Sequence, residues 1–158
     1  MSFRNSASFG KRIEYWIIGL LLKEGYDVFV PLVDDDAVDA ILRGKDGKII
    51  EVQIKARSSN VVFGDAALFA AIDHAETRNN YFFIFYSERI DKMWVMSSGD
   101  FDKVAVQNKT GKNIGRRSIW FNGKSQVNKT EYPKEKFDSW LVTKDGHHDL
   151  SLFAKFLK

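Results

Sequence analysis

The run Tyr81-Phe82-Phe83-Ile84-Phe85-Tyr86 constrains the fold more than any other stretch of the chain. Six consecutive apolar or aromatic residues have strand length and no alternation, the pattern of a β-strand buried on both faces. Such a strand is central to a sheet with a layer packed on each side, which points to an α/β protein. The 158 residues are 44% hydrophobic, enough for a single domain with one sizeable core and too apolar for a disordered chain. Zero cysteines exclude disulfide frameworks, cysteine nucleophiles, iron–sulfur clusters and cysteine-ligated zinc. The apolar run at residues 15–22 is too short to span a membrane and lacks a signal cleavage site, so a cytoplasmic protein without membrane contact is expected.

The other elements follow from period and punctuation. Ser8 can cap a helix to about Glu24, with Phe9, Ile13, Trp16, Ile17, Leu20 and Leu21 on one apolar face and Gly25 ending it. Strands are expected over Val28–Val33, Val38–Leu42 and Ile49–Ala56, the last two joined by a hairpin turn at Asp46-Gly47. The spacing of Ala66, Leu68, Phe69, Ile72 and Ala75 predicts a second helix between Asp65 and Ala75. Further strands are expected at Met93–Met96 and Ser118–Phe121, a short helical turn capped by Ser97 or Ser98, and helices at Pro133–Leu141 and Asp149–Leu157. The order is αβββαβ followed by an irregular tail: a core over about residues 8–100, a basic segment at 101–136 and C-terminal helices within 133–158.

The net charge of +3 hides a local excess. Residues 1–100 carry 12 basic and 15 acidic side chains, and residues 101–136 carry 9 and 3. In that segment Lys109, Lys112, Arg116, Arg117 and Lys124 are interleaved with glycines and with Trp120 and Phe121, which suits a loop and strand facing a phosphate backbone.

Chemistry concentrates in Ile49-Ile50-Glu51-Val52-Gln53-Ile54-Lys55-Ala56. In a strand, Glu51, Gln53 and Lys55 share one face and Ile50, Val52 and Ile54 the other. Pairing across the Asp46-Gly47 turn brings Asp39 near Gln53 and Lys55. A carboxylate beside an amide oxygen makes a hard-oxygen site suited to Mg²⁺, and the nearby ammonium can position a water or stabilise charge on phosphorus.

The order of a helical Glu14, a hairpin Asp39 and Gln53-x-Lys55 on the next strand resembles the PD-(D/E)xK nuclease superfamily, in the variant where glutamine replaces the acid. The resemblance covers about residues 8–86. It implies a restriction endonuclease-like core, a central mixed sheet flanked by helices, and a metal-dependent endonuclease hydrolysing DNA phosphodiester bonds. Asp39, Gln53 and Glu14 would hold Mg²⁺ or Mn²⁺, and Lys55 would orient the attacking water. Val38 stands where the family has proline, and Asp34, Asp35 and Asp36 compete with Asp39, with Asp36 as first alternate. Glu51 is the alternate that compensates for the charge missing at Gln53. Cutting both strands of a duplex would call for a homodimer.

The alternative is a noncatalytic nucleic-acid- or partner-binding module on the same fold, accessory to a defence or mobile-element system. Other chemistries find less support. His147-His148 and His74 lack metal-ligand spacing, residues 111–115 lack a phosphate-binding loop pattern, and there is no Gly-x-Ser-x-Gly.

Overall fold

The computed structural model describes residues 6–33, 35–61 and 64–158. Asp34 lies outside them. The first helix, α1 (Ser6–Lys23), buries Phe9, Ile17, Ile18 and Leu21, each fully buried apolar side chain of this size contributing about 1.5–3 kcal/mol. It ends where Gly25 turns into the left-handed region, φ 87°: the Gly25 amide donates to the Leu22 carbonyl and the Tyr26 amide to that of Leu21. This pair of bonds is a Schellman termination, for which glycine is the favoured residue.

Five strands form the main sheet: β1 (Asp27–Phe29), β2 (Ala40–Arg43), β3 (Ile49–Arg57), β5 (Tyr81–Ser87) and β6 (Lys92–Ser97), in the order β1-β2-β3-β5-β6. β3 and β5 are parallel and the other neighbours antiparallel, so the sheet is mixed and helices flank it, as expected. Every residue of β5 is buried, in keeping with its apolar run.

One face of the sheet, carrying Ile50, Val52, Ile54, Phe82 and Ile84, packs against α1 and the C-terminal 3-10 helix (Ser151–Lys155). The other face, with Phe83, Phe85 and Trp94, packs against α2 (Ser98–Val104), Phe137 of a second 3-10 helix (Glu135–Trp140) and a smaller sheet. That sheet has the order β4-β8-β7, from β4 (Leu68–Ile72), β7 (Val106–Gln107) and β8 (Arg117–Trp120). Two two-stranded ribbons complete the chain: β9 (Asn122–Lys124) with β10 (Glu131–Pro133), and β11 (Thr143–Lys144) with β12 (His147–His148). Ser97 caps α2, its hydroxyl accepting the Asp100 amide at 3.1 Å.

The helix expected over Asp65–Ala75 is corrected to strand β4. Phe69 and Ile72 both enter the core, and their three-residue separation imitates one face of a helix. Phe69 pairs with Ile119 and Ile72 with Arg117, three residues against two, so an extra residue is accommodated in a β-bulge. Ala71, at φ 56°, takes the left-handed conformation there. The two C-terminal helices are shorter than expected and of the 3-10 type, and Pro133 belongs to β10.

Candidate active site

β3 presents its polar residues on the face toward the smaller sheet. Glu51 and Lys55 are half-buried and Gln53 is 6% exposed. Asp39 immediately precedes β2, at the point where the paired register ends with Ala40 against Val52. The Asp39 amide donates to the Val52 carbonyl at 2.8 Å, and the Ile54 amide donates to Asp39 Oδ2 at 2.6 Å. Both bonds fix the aspartate against β3, the second as a charge-assisted contact.

Gln53 Oε1 is buried and has no hydrogen-bond partner among the described residues. An unsatisfied buried acceptor costs about 1–3 kcal/mol, so this atom calls for a water or a ligand. Asp39 bonds the residues on either side of Gln53, so a carboxylate stands beside this amide, and the two side chains offer a hard cation an anionic and a neutral oxygen. Mg²⁺ is commonly held by one or two protein carboxylates, with waters and substrate phosphate completing its shell, so this short donor set fits such an ion. Among the described residues no three His, Asp or Glu side chains converge on one point.

Glu14 is held by Lys11, Nζ to Oε1 at 2.7 Å, with its side chain 12% exposed. The Lys11 ammonium titrates above its usual range, chiefly through that hydrogen bond, and the Asp39 charge adds to the shift. The Lys11–Glu14 pair therefore lies within electrostatic reach of Asp39. The alternates are placed differently. Glu51 Oε2 accepts from Arg78 Nη2 at 2.6 Å. Asp36 is exposed, and its backbone carbonyl rather than its carboxylate meets Arg78, at 2.7 Å.

Lys55 opens into a cleft of about 410 Å³ lined also by Arg57, Ala70, Ala71, Asp73 and Arg116. The β4 bulge brings the two small alanine side chains to this wall. Arg116 is the last residue of the loop joining β7 to β8, a loop that also carries Lys109 and Lys112; all three are exposed, as is Lys124. The alternation of β8 sends its neighbour inward. Arg117, 17% exposed at its side chain, pairs with Asp102 at 3.2 Å beneath the smaller sheet. Its charge is therefore taken up internally, unlike those of the other four basic residues.

One buried constellation needs separating from this site. Ser98 Oγ is 2.7 Å from His74 Nε2, and Asp102 Oδ1 is 3.8 Å from the same nitrogen. A hydrolytic triad needs the acid on the opposite ring nitrogen and an accessible hydroxyl, whereas Ser98 is fully buried. The set ties α2 to the loop between β4 and β5: Thr77 donates to Asp102, and the Arg78 amide donates to Ser98 Oγ at 2.8 Å. Among the described residues no helix is long and apolar enough to cross a membrane.

No protein-family model matches the chain, and no curated protein matches its sequence. Among solved structures it is similar to a bacterial homing endonuclease, I-Ssp6803I, at 19% identity with a TM-score of 0.51, over 72% of this chain and 89% of that one. At this identity the likeness is one of fold, and the fold is nuclease-like.

Proposed function

We propose that this protein is a metal-dependent endonuclease that hydrolyses DNA phosphodiester bonds, with a PD-(D/E)xK site in its Gln-x-Lys form. The observation that carries the reading is the buried Gln53 Oε1, without a partner among the described residues, on a residue whose two chain neighbours are both bonded by Asp39 and on the same strand face as Lys55. The nuclease-like fold supports it independently.

Asp39 and Gln53 hold Mg²⁺ or Mn²⁺, with Glu14 the further acid on α1. When bound, that ion supplies Lewis-acid polarisation of the phosphoryl group. Lys55 orients the attacking water from the mouth of the cleft and stabilises negative charge gathering on the phosphoryl oxygens. Arg116, on the same cleft, holds the phosphate there, and Lys109, Lys112 and Lys124 carry the flanking backbone.

Calorimetric Mn²⁺ titration of the wild type and Asp39→Ala, with plasmid nicking followed in the same preparations, tests this reading. Binding and nicking that both vanish in the variant support it. A wild type that neither binds nor nicks, yet retains salt-sensitive DNA binding, supports the noncatalytic module instead.

A further inference from the structure

We infer that Arg78 is a positioning residue, a guanidinium clamp that fixes the loop delivering Asp39 to β3. What the clamp serves rests on the nuclease reading above; the clamp itself rests on geometry.

One guanidinium joins three parts of the fold. Nη2 donates to Glu51 Oε2 at 2.6 Å, Nη1 donates to the Asp36 carbonyl at 2.7 Å, and Cζ lies 4.1 Å from the centroid of the Tyr81 ring. Tyr81 continues the grip, its hydroxyl donating to the Ala37 carbonyl at 2.5 Å. Two successive carbonyls ahead of Asp39 are thus held by residues at the start of β5 and in the loop before it. The loop needs holding, because Ala37 has φ 55° and a residue with a Cβ adopts that conformation at a cost of about 1–2 kcal/mol.

The clamp is itself anchored. The Arg78 amide donates to Ser98 Oγ, which is fully buried against His74. At its other end Glu51 stands two residues before Gln53 on the same strand face. Arg78 therefore ties the Asp39 loop directly to the strand that carries Gln53 and Lys55. A planar fork with several donors spans two acceptors and lies against a ring; an ammonium is a point charge and does not.

The test uses Arg78→Ala, Arg78→Lys and Tyr81→Phe with two readouts, neither requiring turnover. Hydrogen exchange of the amides at residues 37–39 reports the loop, and calorimetric Mn²⁺ titration reports the site. Faster exchange in all three variants is expected, together with Mn²⁺ affinity about tenfold or more weaker in both Arg78 variants, the usual scale for a residue that orients a ligand. Failure of lysine to rescue separates a clamp from a simple charge. Wild-type exchange in Arg78→Ala overturns the clamp; if that variant does not fold, wild-type exchange in Tyr81→Phe, which lacks only a hydroxyl, overturns it. Faster exchange with unchanged Mn²⁺ affinity overturns the positioning role. A wild type that binds no Mn²⁺ removes the nuclease reading, and the exchange data still decide the clamp.

Discussion

Asp39 bonds both chain neighbours of Gln53, the Val52 carbonyl and the Ile54 amide, where the antiparallel ladder of β2 and β3 ends, and the two residues are unequally satisfied. Asp39 Oδ2 accepts the Ile54 amide at 2.6 Å, whereas Gln53 Oε1 is buried without a hydrogen-bond partner among the described residues. A protein that needed only stability at this buried position could place an apolar residue there. An amide oxygen left unpaired beside a carboxylate is an arrangement that a hard cation would satisfy.

Gln53→Glu places a second carboxylate beside Asp39, which bonds both chain neighbours of residue 53. Without a cation the two charges repel, and one pKa unit of repulsion corresponds to about 1.4 kcal/mol, so a stability loss of roughly 1–2 kcal/mol is expected at neutral pH. Millimolar Mn²⁺ should remove that loss and bind more tightly than in the wild type. Urea unfolding with and without Mn²⁺ measures both effects. Equal destabilisation in the two conditions would count against a cation between residues 39 and 53.

Lys55→Ala tests the ammonium at the mouth of the cleft. Because Lys55 is half-buried at the edge of the polar stripe, its removal should leave the unfolding midpoint nearly unchanged. Cleavage of supercoiled plasmid should fall about a hundredfold or more, the scale seen when one preorganised charge-stabilising donor is lost. A variant that cuts at the wild-type rate removes Lys55 from the chemistry.

Arg116 and Arg117 are adjacent in sequence and opposite in role. Arg116→Ala should lower the salt dependence of DNA binding by about one unit of slope and leave stability unchanged. Arg117→Ala leaves the half-buried Asp102 carboxylate without its counter-charge and should destabilise the fold by about 2 kcal/mol, with little change in the salt slope. Fluorescence anisotropy across a salt series and urea unfolding distinguish them. Equal effects on the salt slope would mean that the inward rotation of Arg117 is absent in solution.

The contrast between β3 and β4 shows which features were legible in the sequence. Strand alternation has a period of two, so the sequence puts Glu51, Gln53 and Lys55 on one face, and the strand does the same. The β4 bulge breaks that period. An extra residue makes Phe69 and Ile72 face inward together at a helix-like separation, and the partner strand β8 lies some fifty residues away, beyond any local window. Arg78 gave no signal either, as a single arginine in a polar loop acquires meaning only when Glu51, Asp36 and Tyr81 converge on it. The pairing of Arg117 with Asp102 was hidden for the same reason: local charge counting treats adjacent arginines alike, while strand parity separates them.

His74 and His148 make the protein sensitive to mild acid. Burial lowers the pKa of both imidazoles below the ordinary value near 6.5, against the opposing pull of Asp102 on His74 and of Asp91 on His148, with Arg78 and Arg117 adding to the depression at His74. The hydrogen bonds agree with a neutral His74: Ser98 Oγ accepts the Arg78 amide, leaving its own proton for Nε2. The unfolded chain takes up protons at about pH 6.5 and the folded chain only at lower pH, so between the two the unfolded state binds more protons. The stability these residues contribute is complete above that range and is lost as pH falls through it toward the folded values. The urea midpoint of the wild type should therefore be lower at pH 5.5 than at pH 7.5, before most carboxylates titrate. His74→Gln, which keeps a polar group near Ser98 and cannot ionise, should start less stable and lose less between the two pH values; a wild-type midpoint that does not move would show that neither imidazole is buried neutral.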